Sequence, residues 1–135
     1  MDDATPLNDA VPLGDEWAGR FVGQWVSAWN AHDVPAVVAH FADDAVFSSP
    51  VMARILGTDG VIRGRQALLE AWTEGVRNLP DLHFEVIGYY VGVATLVINY
   101  RNQRGGLVCE VLTFSGDGRV REGHGTYLGG AGPGR

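Results

Sequence analysis

The chain has 135 residues, the size of a single domain, and 46% of them are hydrophobic, which is enough for a buried core. Its formal net charge is −6, and because an acidic surface repels phosphate groups we expect neither nucleic acid nor a membrane as a partner. The one cysteine, Cys109, excludes an internal disulfide framework. The first residues lack the basic and apolar regions of a signal peptide, which favours a cytoplasmic location.

One domain is predicted, over residues 15–128. The acidic, proline-containing residues 1–14 are predicted to form a flexible lead, and the glycine-rich residues 129–135 a disordered tail. No internal repeat divides the sequence between them.

Three helices are predicted in the first part of this domain. The first has an aromatic face because one large ring recurs every fourth residue, at Trp17, Phe21, Trp25 and Trp29. The second is short and begins after Asp33, a favourable N-cap residue. A short strand over 45–48 then follows the acidic turn at 43–44, and a glycine-punctuated loop covers 50–64. The third helix begins near Arg65.

From Leu82 onward the period changes to two, which is typical of a strand. Leu82, Phe84 and Val86 alternate with His83, Glu85 and Ile87. Further strands are predicted over 96–101, 107–114 and 119–128, and the turn at 115–118 is typical of a hairpin. Helices followed by antiparallel strands indicate an α+β domain, with three helices packed on one antiparallel sheet.

Five segments of the sequence resemble one known family. They are residues 25–33 (WVSAWNAHD), 40–50 (HFADDAVFSSP), 64–68 (GRQAL), 79–85 (LPDLHFE) and 110–120 (EVLTFSGDGRV). The chain is similar over residues 17–128 to the nuclear transport factor 2-like superfamily, and within it to the SnoaL-like and ketosteroid isomerase-like proteins. The resemblance implies a cone-shaped α+β barrel whose strongly curved sheet encloses an apolar pocket. It also implies a homodimer formed through the outer face of the sheet.

The resemblance points to three positions that carry catalytic groups in ketosteroid isomerase-like enzymes. Trp25 stands where those enzymes have an oxyanion-binding tyrosine, and Ser49 stands where they have the aspartate that acts as general base. Glu110 matches a protonated aspartate that donates to the substrate oxygen. Since two of the three groups differ, steroid isomerisation by that mechanism is disfavoured.

Glu110 is the main catalytic candidate on its own chemistry. In the segment 107–114 it shares a strand face with Val108, Leu112 and Phe114, so a carboxyl group stands where alternation expects an apolar side chain. Burial in an apolar pocket raises the pKa of a carboxyl group, which suits an acid, a base or a neutral hydrogen-bond donor. The alternative is that Glu110 only satisfies polar groups of the core, those of Tyr100, Tyr127 or Trp25.

The remaining pocket candidates are mostly aromatic. Alternation turns Tyr100 and Tyr127 inward, and the glycines that share the last strand's inner face leave room for a ligand. The residues predicted to bind the substrate, through aromatic packing or polar contacts, are Tyr100, Tyr127, Trp25, Trp29, Phe47, Ser49, Trp72 and His124. Alternation favours the outer face for His124, and only a bulge in the strand would turn it inward.

The sequence lacks the motifs of metal-dependent, nucleophilic and nucleotide-dependent catalysis. The four histidines show no metal-ligand spacing, and no nucleophile elbow or phosphate-binding loop is present, so we expect neither a metal nor a cofactor. The segment 57–64 predicts a mobile flap at the pocket mouth, where Arg54 or Arg63 meets an anionic or carbonyl-bearing ligand. The alternative is that both arginines are solvated.

Two functions follow from these observations. The first is a cofactor-free acid/base enzyme of the isomerase or cyclase type, acting on an apolar carbonyl-bearing substrate through Glu110. The second is a non-catalytic ligand-binding or dimerisation domain. A missing general base favours the second, and a carboxyl group on an apolar strand face favours the first.

Overall fold

The computed structural model describes residues 14–130. The flexible lead and the disordered tail predicted at the two ends lie, apart from their innermost residues, outside the described residues. Between them the helices are α1 (Asp15–Asn30), α2 (Val34–Val38), α3 (Pro50–Leu56) and α4 (Arg65–Asn78). The strands are β1 (Phe41–Ser48), β2 (Val61–Arg63), β3 (Glu85–Val91), β4 (Thr95–Arg101), β5 (Leu107–Phe114) and β6 (Val120–Tyr127).

The six strands form one curved, unclosed sheet in the order β2-β1-β6-β5-β4-β3. The predicted α+β class is therefore confirmed. The sheet is mixed, however, because β1 runs parallel to β6 while every other neighbouring pair is antiparallel. Sequence alternation could not predict that pair, since β1 and β6 are far apart in the chain and no local turn fixes their direction.

The segment between the second predicted helix and Arg65 differs most from its prediction. The prediction of a loop over 50–64 misses α3, which has Ser49 as its N-cap and Pro50 in its first turn and is ended by Gly57 in the left-handed conformation. The predicted flap over 57–64 is wrong in part, because β2 pairs with β1 there. Strand β1 also begins at Phe41, and it carries the acidic pair at 43–44 on its exposed side.

The core lies between the inner face of the sheet and the helices. The predicted aromatic face of α1 packs there, with Phe21, Trp25 and Trp29 all buried. Helix α2 is capped as predicted, since the Asp33 carboxylate accepts a hydrogen bond from the Ala36 amide. None of the helices between residues 14 and 130 has the length and hydropathy needed to cross a bilayer.

Candidate functional site

A cavity of about 200 Å³ opens between the inner face of the sheet and helices α1, α3 and α4. Its wall is mainly apolar, with a few polar groups of β4 to β6 and of the turn between β4 and β5. The aromatic and polar lining residues are Trp29, Phe47, Ser49, Arg54, Trp72, Phe84, Tyr100, Asn102, Gln103, Arg104, Glu110 and Tyr127. An apolar concave site with a few polar groups is typical of small-molecule binding.

Glu110 lies in the middle of β5 and its side chain faces the cavity. It pairs across the sheet with Ile98 of β4 and with Gly125 of β6. A methyl group on Gly125 would lie 3.8 Å from the Glu110 Oε1 atom and 3.8 Å from the Ser49 side chain. Because Gly125 has no side chain, the space in front of the Glu110 carboxyl group is open.

The Glu110 carboxyl group has one hydrogen-bond partner among the described residues. The Tyr100 hydroxyl donates to its Oε1 atom at 3.2 Å, and Glu110 is only 5% exposed. Burial raises the pKa of Glu110 to about 8, and the hydrogen bond from Tyr100 offsets part of this rise. Glu110 is thus mostly uncharged at neutral pH, yet it ionises close to that range.

Tyr127 and Ser49 form the second polar group of the cavity wall. Ser49 caps α3 by accepting from the Met52 amide at 3.3 Å, and its hydroxyl is also hydrogen-bonded to Tyr127. Burial raises the pKa of Tyr127 to about 12, and the Ser49 hydrogen bond and the Arg54 guanidinium offset part of that rise. Tyr127 is therefore a neutral donor over the physiological range and not an acid or a base.

Two polar atoms in the cavity wall are buried without a partner. The Trp29 indole N–H and the Gln103 side-chain oxygen make no hydrogen bond to any described residue. An unpaired buried polar atom lowers the free energy of unfolding by about 1–3 kcal/mol, so such atoms are uncommon in folded proteins. Both atoms are buried from the open cavity as well as from solvent, so neither is available to a ligand unless a neighbouring side chain moves.

Most of the residues predicted for the site come together in this wall. Trp29, Phe47, Ser49, Trp72, Tyr100, Glu110 and Tyr127 all line the cavity. Trp25 does not, because it is fully buried behind the wall, with its ring 5.4 Å from that of Tyr100 and 5.7 Å from that of Phe84. It supports two lining residues and does not reach the space between them.

His124 lies on the opposite face of the sheet, as alternation favours, and not in the cavity. Its Nδ1 atom is 2.6 Å from the Ser48 hydroxyl and its Nε2 atom is 2.7 Å from the Glu122 carboxylate. This order of groups is similar to that of a hydrolytic triad. It stands on a strand surface whose backbone amides are used in the sheet ladder, and none of the described cavities includes His124, so no oxyanion site accompanies it.

Sequence reasoning missed the turn between β4 and β5, which contributes Asn102, Gln103 and Arg104 to the wall. It also missed the apolar side of α3. Of the two arginines predicted near the mouth, Arg54 lines the cavity and Arg63 is exposed on β2 away from it. No group of three or more metal-ligating side chains occurs within residues 14–130.

Comparisons with known proteins agree on the fold. A SnoaL-like domain model matches residues 22–124. A SnoaL-like protein of unknown function from Burkholderia thailandensis is 40% identical, with a TM-score of 0.80, covering 87% of this chain and 100% of that one. No curated protein matches the chain.

Two more distant structures share the fold alone. An NTF2-like protein of unknown function from Cytophaga hutchinsonii is 11% identical, with a TM-score of 0.63, covering 82% of this chain and 89% of that one. AclR from Streptomyces galilaeus, a candidate hydroxylase, is 19% identical, with a TM-score of 0.64, covering 85% of this chain and 91% of that one.

Proposed function

We propose that this chain, which belongs to the SnoaL-like family of the nuclear transport factor 2-like superfamily, is a cytoplasmic, cofactor-free acid/base enzyme. Its substrate is an apolar molecule with a carbonyl group, and its reaction is an isomerisation or an aldol-type cyclisation through an enolate. The observation that carries the proposal is Glu110, a carboxyl group buried in an apolar cavity wall with Tyr100 as its one partner among the described residues.

A purely structural role accounts poorly for Glu110. A buried carboxyl group lowers the free energy of unfolding unless its hydrogen-bonding capacity is used, and here only Oε1 is bonded. An apolar residue would fill the same strand position at lower cost, as Leu112 does two residues later. Groups whose pKa is strongly perturbed by burial in a cleft are candidates for catalysis.

In the proposed reaction Glu110 acts as the base. It is the only lining side chain whose pKa is near neutral, so it alone can take a proton from the carbon next to the carbonyl group. The electron pair of that C–H bond forms the C=C bond of an enolate, and the π pair of the carbonyl group moves onto its oxygen. The Tyr127 hydroxyl is the donor available to the enolate oxygen. In an isomerisation the substrate has a C=C bond conjugated to the enolate, and Glu110 returns the proton to the far carbon of that bond, so that the double bond moves. In a cyclisation the enolate carbon attacks a second carbonyl carbon of the substrate, and Glu110 returns the proton to the resulting alkoxide oxygen.

Ligand binding gives the first test. We expect the purified protein to gain thermal stability with small apolar ketones, because a ligand at about 100 times its Kd adds about 2.7 kcal/mol, or several degrees in Tm. A Gly125→Leu variant is the matched control, since its side chain projects toward Glu110 and fills the cavity. A panel that shifts neither protein, or that shifts the variant as much as the wild type, would contradict the proposal.

One observation favours the second candidate, a non-catalytic ligand-binding domain. Apart from Glu110, no lining residue offers an acid or a base near neutral pH, so the reaction has no second proton-transfer group. An enolisation that uses one base for both proton transfers needs no second group. If ketones bind but their α-protons do not exchange with solvent, the non-catalytic function is favoured.

A homodimer through the outer sheet face is proposed as the assembly. Tyr90, Val97 and Val111 form a continuous row there, because they pair directly across β3, β4 and β5. Tyr90 is 62% exposed in the single chain. We expect a Val111→Lys variant to sediment as a monomer at concentrations where the wild type is a dimer. A wild type that sediments as a monomer at all concentrations would exclude this assembly.

A further inference from the structure

The mouth of the cavity carries unpaired positive charge. Arg54 comes from α3 and Arg104 from the turn between β4 and β5, and both line the same cavity. Neither forms a salt bridge with any residue in 14–130, whereas Arg20, Arg65 and Arg77 each pair with an acidic side chain. Two unpaired guanidinium groups at one opening are notable in a chain with a net charge of −6.

Nothing in the cavity wall neutralises this charge. Glu110 is the only acidic side chain among the lining residues, and its carboxyl group is mostly protonated at neutral pH because burial raises its pKa to about 8. The opening is therefore positive while the interior is apolar and uncharged. A cleft lined by one sign of charge attracts ligands of the opposite sign.

From these features we infer that the ligand is an amphipathic anion, with an apolar body bearing the carbonyl group inside the cavity and a carboxylate paired with Arg54 and Arg104. Arginine binds carboxylates through two parallel N–H donors, so the contact is directional as well as electrostatic. This inference rests on the proposed function for the carbonyl group but adds a second, independent recognition element. It narrows the substrate class to apolar keto acids.

The test compares one keto acid with its uncharged ester. We propose calorimetric titration with 4-oxo-4-phenylbutanoate and its methyl ester, on the wild type, the Arg54→Gln/Arg104→Gln double variant, and an Arg63→Gln control. Arg63 is the matched control because it is exposed on β2 and lies outside the cavity. We expect the wild type and the control to bind the acid about tenfold more tightly than the ester at low salt, and this preference to fall as salt is added.

The double variant separates the two proposals. We expect it to bind acid and ester equally, with the ester affinity close to that of the wild type. Equal binding of acid and ester by the wild type, or a preference that survives in the double variant, overturns the inference and leaves the proposed function intact. Failure of both probes to bind the wild type overturns the inference and the proposed function together.

Discussion

A Glu110→Gln variant is expected to lose enolisation activity by a factor of about 10² to 10⁴, the usual contribution of a positioned general base. Glutamine keeps the shape of the side chain but cannot take a proton. The measurement is exchange of the α-protons of 2-tetralone in D2O, followed by NMR, which reports proton abstraction without knowledge of the natural substrate. Thermal shift of the same variant with the same ketone shows whether binding is retained.

The pH dependence of this exchange identifies the form of Glu110 that acts. Because the ionised carboxylate is the base and burial raises the pKa of Glu110 to about 8, we expect the rate to rise with pH and level off above about pH 8. In Tyr100→Phe the pKa-lowering hydrogen bond is absent, so the profile should move to higher pH. A rate that falls above pH 8 would instead mean that the neutral acid is the active form.

The second large effect is on stability. The folded protein holds the Glu110 proton up to about pH 8, whereas the unfolded chain releases it near the ordinary value of 4.5. The unfolded state therefore binds fewer protons between these values, and the free energy of unfolding falls as pH rises through this window. The loss attributable to Glu110 is on the order of 3 to 5 kcal/mol and is complete above about pH 8.

Urea denaturation of the wild type and of Glu110→Gln at pH 5 and pH 8.5 measures this loss. Other titrating groups, including His40 with its pKa lowered by burial, change equally in both proteins, so the comparison isolates Glu110. We expect the wild type to be destabilised at pH 8.5 by several kcal/mol more than the variant. Parallel pH dependence in the two proteins would show that Glu110 titrates normally.

The polar residues that the strands contribute to the cavity wall are well predicted from the sequence. The period of two along β5 turns Glu110 inward with Val108 and Leu112, and all three are buried. The same reasoning turns Tyr127 inward and His124 outward. These predictions depend only on pleating and on an unbroken register, and β5 keeps that register along its pairing with β4.

The parts that could not be predicted depend on tertiary packing. Trp25 and Trp29 lie one helical turn apart on the same face, and only the packing of Phe84 and Tyr100 decides that Trp29 reaches the cavity. Arg104 reaches the cavity because the turn between β4 and β5 lies at the mouth, which no periodicity indicates. The helix α3 had a local signal, serine followed by proline, but its seven residues are too few to show a helical period.

The proposed function requires Glu110 to be an acid/base group that is held uncharged in a cavity open to ketones. A carbon-13 NMR titration of its side-chain carboxyl group tests this most directly, with Glu110→Gln used to assign the resonance and with a ketone added in a second titration. We expect a pKa of about 8 in the free protein and a change in that pKa when the ketone is bound. A pKa near 4.5 that the ketone leaves unmoved would contradict the proposed role of Glu110.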